Sequence, residues 1–437
     1  MNRKVLWIVN KYNLKHESEH YFLDFLNDLK KKCCLLGLDL ILLRFADGVE
    51  QTDFFLRPDI SKESVSKELI DRIERRYRFT FRSILYPDLV QLNRSQSNIE
   101  MSESSFQYEL NEAVAKFVWL ENYINDDSFD MIFADQSPEY EMTFAKYIGF
   151  NNGIPAYRTM EGAFFGRTLI VKNDVTLNLD LKICSFSVPN DALLDIEFDR
   201  ISNYAENNAE PYKRTSAHRT SSVAILKAQI RATILKLRKR TYYSNLPKKY
   251  LFFSPHLLKE STLHYRATHF SNQTSLIEMI ARVLPFNTFL VVREHPHWHE
   301  RDPVKLVKNW SEIQNVKVIS PSESIHEILL KCCGVLTINS TTGLEACAYN
   351  KPVITFIPTI YDTLSNVTFV RELHNLTEAL TTTTRLAHEE WECYVKEMLN
   401  KTFDFSLNSF TFAESNFSHR AEVLSDVINQ IVINENS

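Results

Sequence analysis

Two stretches of the chain alternate short apolar runs with longer segments whose apolar residues recur at helical spacing, and a polar, basic stretch separates them. In the first stretch Val5–Val9 reads as a buried strand, Phe22–Cys34 as an amphipathic helix and Leu38–Leu43 as a second strand, a βαβ opening. Residues 50–110 are mixed and read only as helices and loops. Then Asn111–Ile124 predicts a helix, Met131–Ala134 a strand ending at Asp135, Glu139–Tyr147 a helix and Ile154–Thr159 a strand that leads into Glu161. The second stretch repeats the alternation: strands at Tyr250–Phe253, Thr288–Val292, Val316–Ile319, Gly334–Ile338 and Val353–Phe356, with helices at Ser271–Leu284, Val304–Trp310, Ser324–Cys332 and Leu344–Tyr349 between them. Such alternation predicts an α/β fold of two Rossmann-like domains with parallel sheets. The expected division is 1–202, a linker 203–249, a second domain 250–405 and a C-terminal helical segment 406–437 whose helix runs Arg420–Ile431.

Length and composition agree with this and narrow it. The 437 residues suit two domains, and 44% hydrophobic with 24% charged residues is globular. A net charge of −5 argues against nucleic acid as a partner. No apolar run approaches the length of a membrane span, and the apolar part of the start is too short for a signal peptide, so a soluble cytoplasmic protein is expected. The 7 cysteines, including the pairs Cys33-Cys34 and Cys332-Cys333, lack metal-binding spacing and read as reduced core residues. Within the linker, Val223–Arg240 is a basic amphipathic helix carrying Arg231, Lys236, Arg238, Lys239 and Arg240. It reads either as a solvated connector or as a peripheral contact with anionic membrane at the cytoplasmic face.

The chemistry concentrates where predicted strands end. Asn339, Ser340, Thr341 and Thr342 follow the strand ending at Ile338 and precede a helix, so hydroxyls and unpaired N–H groups meet at a helix start that favours an anion. Gly343, one of 8 glycines, would let a ligand approach the backbone there. The strand Thr288–Val292 runs into Arg293-Glu294-His295-Pro296, where proline keeps His295 extended at the same sheet edge, able to donate to a phosphate oxygen beside Arg293. His297 and His299 raise a metal site as an alternative, which Pro296 and the polar surroundings disfavour; no metal ligands are assigned. Asp135 and Glu161 lie at carboxyl ends of strands in the first half, where open α/β sheets bind ligands. Asp47-Gly48 is a rival carboxylate, and Asp126-Asp127 precedes a strand at the wrong end.

Arg293-Glu294-His295-Pro296, then roughly forty-five residues on Asn339-Ser340-Thr341-Thr342-Gly343-Leu344-Glu345-Ala346 with Lys351-Pro352 following, resembles the bacterial capsule polysaccharide biosynthesis glycosyltransferases, a group that includes Kdo transferases. Phe253-Ser254-Pro255-His256 and the residues to Ser261 resemble that family's opening of its second domain. The likeness covers about 250–360 well and the first half weakly. It implies a GT-B-like pair of domains facing across a cleft, the first for an acceptor and the second for a nucleotide-sugar. The broader CMP-sugar transferases share an acidic pair with glycine, a His-Pro pair and a Ser/Thr-rich turn. His295-Pro296 and Ser340-Thr341 match the last two, which implies nucleotide binding by Arg293, His295, Asn339, Ser340, Thr341, Thr342 and Glu345. Glu161-Gly162 matches only the back half of the first element, since Met160 replaces the leading acid. By that resemblance Glu161 is a general base in an inverting reaction, or Asp135 or Glu161 a nucleophile in a retaining one, with a CMP-activated acidic sugar such as Kdo as donor, no further cofactor, and an oligosaccharide or lipid-linked glycan acceptor. A CDP-alcohol-dependent polyol-phosphate transferase and a non-catalytic sugar-binding assembly protein are the alternatives.

Overall fold

A computed structural model describes residues 3–9, 19–45, 55–56, 65–92, 103–134, 139–161, 167–172, 182–185, 194–203, 242–256, 263–264, 266–293, 309–382, 384–405, 407 and 415–435. The chain divides into two compact units, one of residues 1–192 with 398–437 and one of residues 193–397.

The first unit is built on β1 (Arg3–Ile8), β2 (Leu38–Leu43), β3 (Phe55–Leu56), β4 (Met131–Ala134) and β5 (Ala156–Glu161), which pair in parallel in the order β3-β2-β1-β4-β5. Two further strands, β6 (Thr168–Lys172) and β7 (Lys182–Ile183), extend it antiparallel. Alternation along β1 sends its residues to two faces. Val5, Trp7 and Val9 join α1 (Glu19–Leu35) in one core; Leu6 and Ile8 join the other, beneath α2 (Lys67–Tyr77), α3 (Phe81–Leu92), α4 (Glu103–Asp126) and α5 (Tyr140–Asn151). Among its described residues, the mixed region 50–110 thus holds β3, two helices and the start of a third. One of them, α2, begins at Ser66, whose side chain accepts the Leu69 N–H. The helix α6 (Leu194–Ser202) opens the second unit.

The second unit carries a six-stranded, wholly parallel sheet: β8 (Tyr250–Phe253), β9 (Phe289–Arg293), β10 (Val316–Ile319), β11 (Gly334–Thr337), β12 (Val353–Thr355) and β13 (Val367–Phe369). Their order is β10-β9-β8-β11-β12-β13, which in chain order within the unit is 3-2-1-4-5-6, the doubly wound arrangement. Between them lie α7 (Gln273–Val283), α8 (Ile325–Lys331) and α9 (Thr341–Ala348), followed by α10 (Leu376–Thr381) and α11 (His388–Asn400). Phe253, Val292, Leu336 and Ile354 pack with α7 residues Leu276, Ile277 and Ile280 on one face. The strands are apolar on both faces because helices cover both.

The end of the chain departs from the expected division. Residues 398–405, expected to close the second domain, and 406–437, expected as a separate helical segment, belong to the first unit. There β14 (Thr402–Phe403) pairs antiparallel with β6, and α12 (Phe417–Glu435) packs on α1. The return is fixed by Arg167, 2% exposed, whose Nε–H donates to Thr402 Oγ1 at 2.8 Å and whose Nη2 donates to the Thr402 carbonyl at 3.0 Å. Ala421, Leu424, Val427 and Ile428 of α12 complete the core against α1, a tertiary pairing that no local pattern reveals. All seven cysteines are free, and each adjacent pair is split: Cys33 and Cys332 are buried, Cys34 and Cys333 exposed. Neighbouring residues on a helix or leaving one face different ways, so the expectation of buried pairs holds for one member of each.

Candidate functional site

In a 3-2-1-4-5-6 sheet the connections leaving strands 1 and 4 run to opposite sides, opening a crevice above their carboxyl ends. Here those strands are β8 and β11. The segment leaving β8 is Ser254-Pro255-His256, and that leaving β11 is Ile338-Asn339-Ser340, which enters α9.

Side-chain hydrogen bonds join the two segments. Thr337, the fully buried last residue of β11, accepts the Ser340 N–H on Oγ1 at 2.9 Å, which turns the chain out of the strand. Ser340 is the N-cap of α9, its Oγ accepting the Thr342 N–H at 3.2 Å. The Ser340 hydroxyl donates to Thr342 Oγ1 at 3.1 Å, and the Thr342 hydroxyl donates to Ser254 Oγ at 3.5 Å, so three hydroxyls line up from the helix start to the end of β8. The Asn339 N–H donates to His256 Nε2 at 3.2 Å. His256 itself is buried and gripped through its backbone by Gln273 of α7, whose Oε1 accepts the His256 N–H and whose Nε2 donates to the His256 carbonyl.

Arg293, the last residue of β9, comes to the same carboxyl edge one strand away. It donates to the Pro321 carbonyl at 2.9 Å, while its buried Nε–H has no partner among the described residues. Burial pulls its pKa below the usual guanidinium value, and the charges of Glu345 and Glu323 oppose that. A guanidinium stays charged under such a shift, so an orphaned N–H at this edge suits an anion.

The structure therefore brings Arg293, Asn339, Ser340, Thr341, Thr342 and Glu345 to one edge, with Thr341 exposed and Glu345 within Coulombic reach of Arg293. His295 lies outside the described residues, as do Asp135, Asp47 and the whole of the basic helix segment Val223–Arg240. Glu161 is the last residue of β5, its backbone in register with Thr168 of β6, so it closes a strand rather than following one. Asp127 is at the opposite, amino edge of the first sheet, paired with Lys4. Gly343 has a different reason from the one expected: Tyr361 occupies the space beside it. A Cβ there would collide with the Tyr361 hydroxyl and come within 2.8 Å of its Cζ and 3.0 Å of Thr337 Cγ2. The residues that sequence reading did not assign are Ser254, His256, Gln273 and Tyr361. The Phe253-Ser254-Pro255-His256 stretch was visible as a motif, but only strand order puts it beside Asn339.

The second unit is thus a doubly wound unit whose strand-end crevice presents hydroxyls, a helix start and an arginine. No helix of the described residues is long and apolar enough to cross a membrane, and no group of three or more His, Cys, Asp or Glu among them gathers as a metal site. Over residues 190–403, which contain that crevice, the chain matches the family described as capsule polysaccharide biosynthesis protein. No curated protein matches it. Among solved structures, the UDP-GlcNAc 2-epimerase of Methanocaldococcus jannaschii is similar at 12% identity, covering 97% of this chain and 99% of that one, TM-score 0.27. Two forms of Thermosulfurimonas dismutans KpsC are similar as well. The beta Kdo 2,7 transferase is 13% identical, covering 68% of this chain and 97% of that one, TM-score 0.34. The beta Kdo 2,4 transferase is 10% identical, covering 61% and 79%, TM-score 0.35. Likenesses this distant carry no argument about activity.

Proposed function

We propose that this protein is a glycosyltransferase of capsule polysaccharide assembly that takes its sugar from a CMP-activated acidic donor of the Kdo class and holds the nucleotide at the crevice between β8 and β11. The observation that carries this reading is the hydroxyl-lined start of α9 at the switch point of a 3-2-1-4-5-6 sheet, within the residues that match the capsule polysaccharide biosynthesis family. In the transfer, an acceptor hydroxyl oxygen bonds to the anomeric carbon as the bond from that carbon to the phosphate oxygen breaks, and the electron pair leaves on CMP. The growing phosphate charge is met by the α9 N-terminus, the Ser340, Thr341 and Thr342 hydroxyls and Arg293, with His295 as a further donor. These groups supply the positive potential without a metal ion. Glu161 removes the acceptor's proton if the reaction inverts; Asp135 or Glu161 serves as nucleophile if it retains. The acceptor is an oligosaccharide or lipid-linked glycan, reached from the cytoplasmic face with the basic segment 223–240 against anionic headgroups.

Calorimetric titration of the purified protein with CMP, CDP and UDP tests the donor class, followed by product analysis with CMP-Kdo and a lipid-linked acceptor. CMP binding and sugar transfer are expected. Binding of UDP alone overturns the reading, tight CDP binding without transfer of sugar points to a CDP-alcohol donor, and CMP binding with no turnover points to a non-catalytic assembly protein.

A further inference from the structure

The backbone of the Asn339–Ser340 turn is held from both neighbouring strands. From the β8 side, His256 Nε2 accepts the Asn339 N–H at 3.2 Å. From the β12 side, the Tyr361 hydroxyl donates to the Ser340 carbonyl at 2.8 Å. The strand order β8-β11-β12 is what allows one side chain from each flank to reach the same turn. Both residues are buried, at 6% and 3% exposure, so neither bond is exchanged with bulk water at little cost.

Each grip has its own support. A ring nitrogen that accepts an N–H carries no proton, so His256 is the neutral Nδ1–H tautomer, and the Gln273 amide fixes its backbone through both N–H and carbonyl. Tyr361 sits where any side chain at position 343 would be, and the loop bearing it is pinned by Asp362, which accepts the Thr359 N–H at 2.8 Å and the Thr355 hydroxyl at 3.3 Å. Both grips act on the turn's peptide groups rather than on its side chains, so they set the direction of the N–H groups and of the Ser340 hydroxyl whatever occupies the crevice.

We propose that His256 and Tyr361 are positioning residues of the phosphate site, preorganising the β11–α9 turn so that binding the nucleotide phosphate requires no rearrangement of its backbone. This rests on the nucleotide reading above. A preformed site spares the ligand the ordering cost that a mobile turn would impose, so loosening either grip weakens binding without removing any ligand contact.

The test is calorimetric titration of the full-length protein with CMP, alongside thermal unfolding, for wild type, His256→Phe, His256→Gln, Tyr361→Phe and, as a stability control remote from the turn, Leu329→Ala. His256→Phe and Tyr361→Phe should each weaken CMP binding about tenfold, the usual consequence of one lost hydrogen bond. His256→Gln keeps an acceptor near the Nε2 position and should stay within about twofold of wild type. Leu329→Ala, which empties part of the α8 core, should lower the unfolding temperature yet bind CMP as wild type does. Folded His256→Phe and Tyr361→Phe proteins that bind CMP as tightly as wild type overturn the proposal while leaving the nucleotide site standing. Equal weakening by Leu329→Ala overturns it too, since the effect would then be general destabilisation. Wild-type protein that binds no CMP removes the nucleotide reading and this one with it.

Discussion

Gly343→Ala tests the packing at the head of α9 with opposing effects of known size. The position is inside a helix, where alanine is favoured over glycine by about 1 kcal/mol, so local propensity alone makes the substitution stabilising. Packing opposes it. The new methyl would collide with the Tyr361 hydroxyl and lie 2.8 Å from its Cζ and 3.0 Å from Thr337 Cγ2, and neither neighbour is a flexible tip: Tyr361 is 3% exposed and Thr337 fully buried. Displacing a buried ring costs about 1–3 kcal/mol, and breaking the Tyr361 bond to the Ser340 carbonyl adds about 0.5–1.5 kcal/mol. Overpacking wins, and the net is a destabilisation of about 0.5–3.5 kcal/mol. Urea unfolding of the whole chain, followed by far-ultraviolet dichroism with the slopes compared, measures it. The same substitution placed in a Tyr361→Ala background loses its main clash and should cost little or even stabilise. Gly343→Ala as stable as wild type with Tyr361 present would refute the packing argument, because propensity would then have prevailed.

Ser340→Ala removes the cap of α9 and the first hydroxyl of the row, and should cost about 1 kcal/mol by urea unfolding. His295→Ala should weaken CMP binding by about 1.5–3 kcal/mol in calorimetry, the scale of a hydrogen bond to a charged group; unchanged affinity removes His295 from the phosphate site. In the first unit, Lys116 is held by Glu141 at 2.9 Å and Glu112 at 2.7 Å, all three largely buried, so Lys116→Met should destabilise by about 3 kcal/mol, and adding Glu141→Gln should recover part of the loss in a double-mutant cycle. Burial raises the Asp362 pKa above its ordinary 3.8, against its hydrogen bonds from Thr359 and Thr355. The folded chain therefore keeps that proton to higher pH than the unfolded chain does. The stability this gives is complete below 3.8 and is lost as pH rises through the folded value. The wild-type stability minus that of Asp362→Asn should fall with rising pH in this range; a difference that is flat or rises contradicts the sign.

What could be read from the sequence was whatever local patterning carries. The apolar runs placed β2, β4, β8 and β10 at their observed limits and β1, β5, β9, β11 and β12 within two residues at each end. The turn from β11 into α9 was legible because cap chemistry is local: a β-branched strand, hydroxyls, then a helix. The pieces that escaped are long-range or short. Two-residue strands such as β3, β7 and β14 present no period to detect, and β13 is only half-buried along its length. The antiparallel strand β6 follows β5 after Gly162 and Gly166, glycines that mark a connection without giving the direction of the strand beyond it, and α12 was visible as an amphipathic helix with no indication that α1 is its partner. Gly343 marks the same limit at the scale of one residue. A glycine beside a ligand and a glycine beside a buried tyrosine look alike in sequence, and here Tyr361 comes from beyond the end of the helix and the strand that follows it.

The two units use one strand order for two kinds of helix start, and the contrast bears on which of them receives a phosphate. In both, a helix follows the fourth parallel strand at the switch point: α5 after β4 and α9 after β11. The α5 start carries its own anions. Glu139 is its N-cap and Glu141 lies in its first turn, both nearly buried, and Glu141 already has its counter-charge in Lys116. A phosphate placed there would face carboxylates in a medium of low dielectric, a repulsion that one helix dipole of about half a charge does not offset. The α9 start has no acid in its first turn, only hydroxyls that donate as readily as they accept, and Arg293 stands at the neighbouring strand end. By electrostatics alone the anion belongs at α9. A neutral, hydroxyl-rich ligand suits the acidic start, since carboxylates accept from sugar hydroxyls without needing a charge in return. The proposed placing of nucleotide in the second unit and acceptor in the first is therefore supported by the charges at the two helix starts.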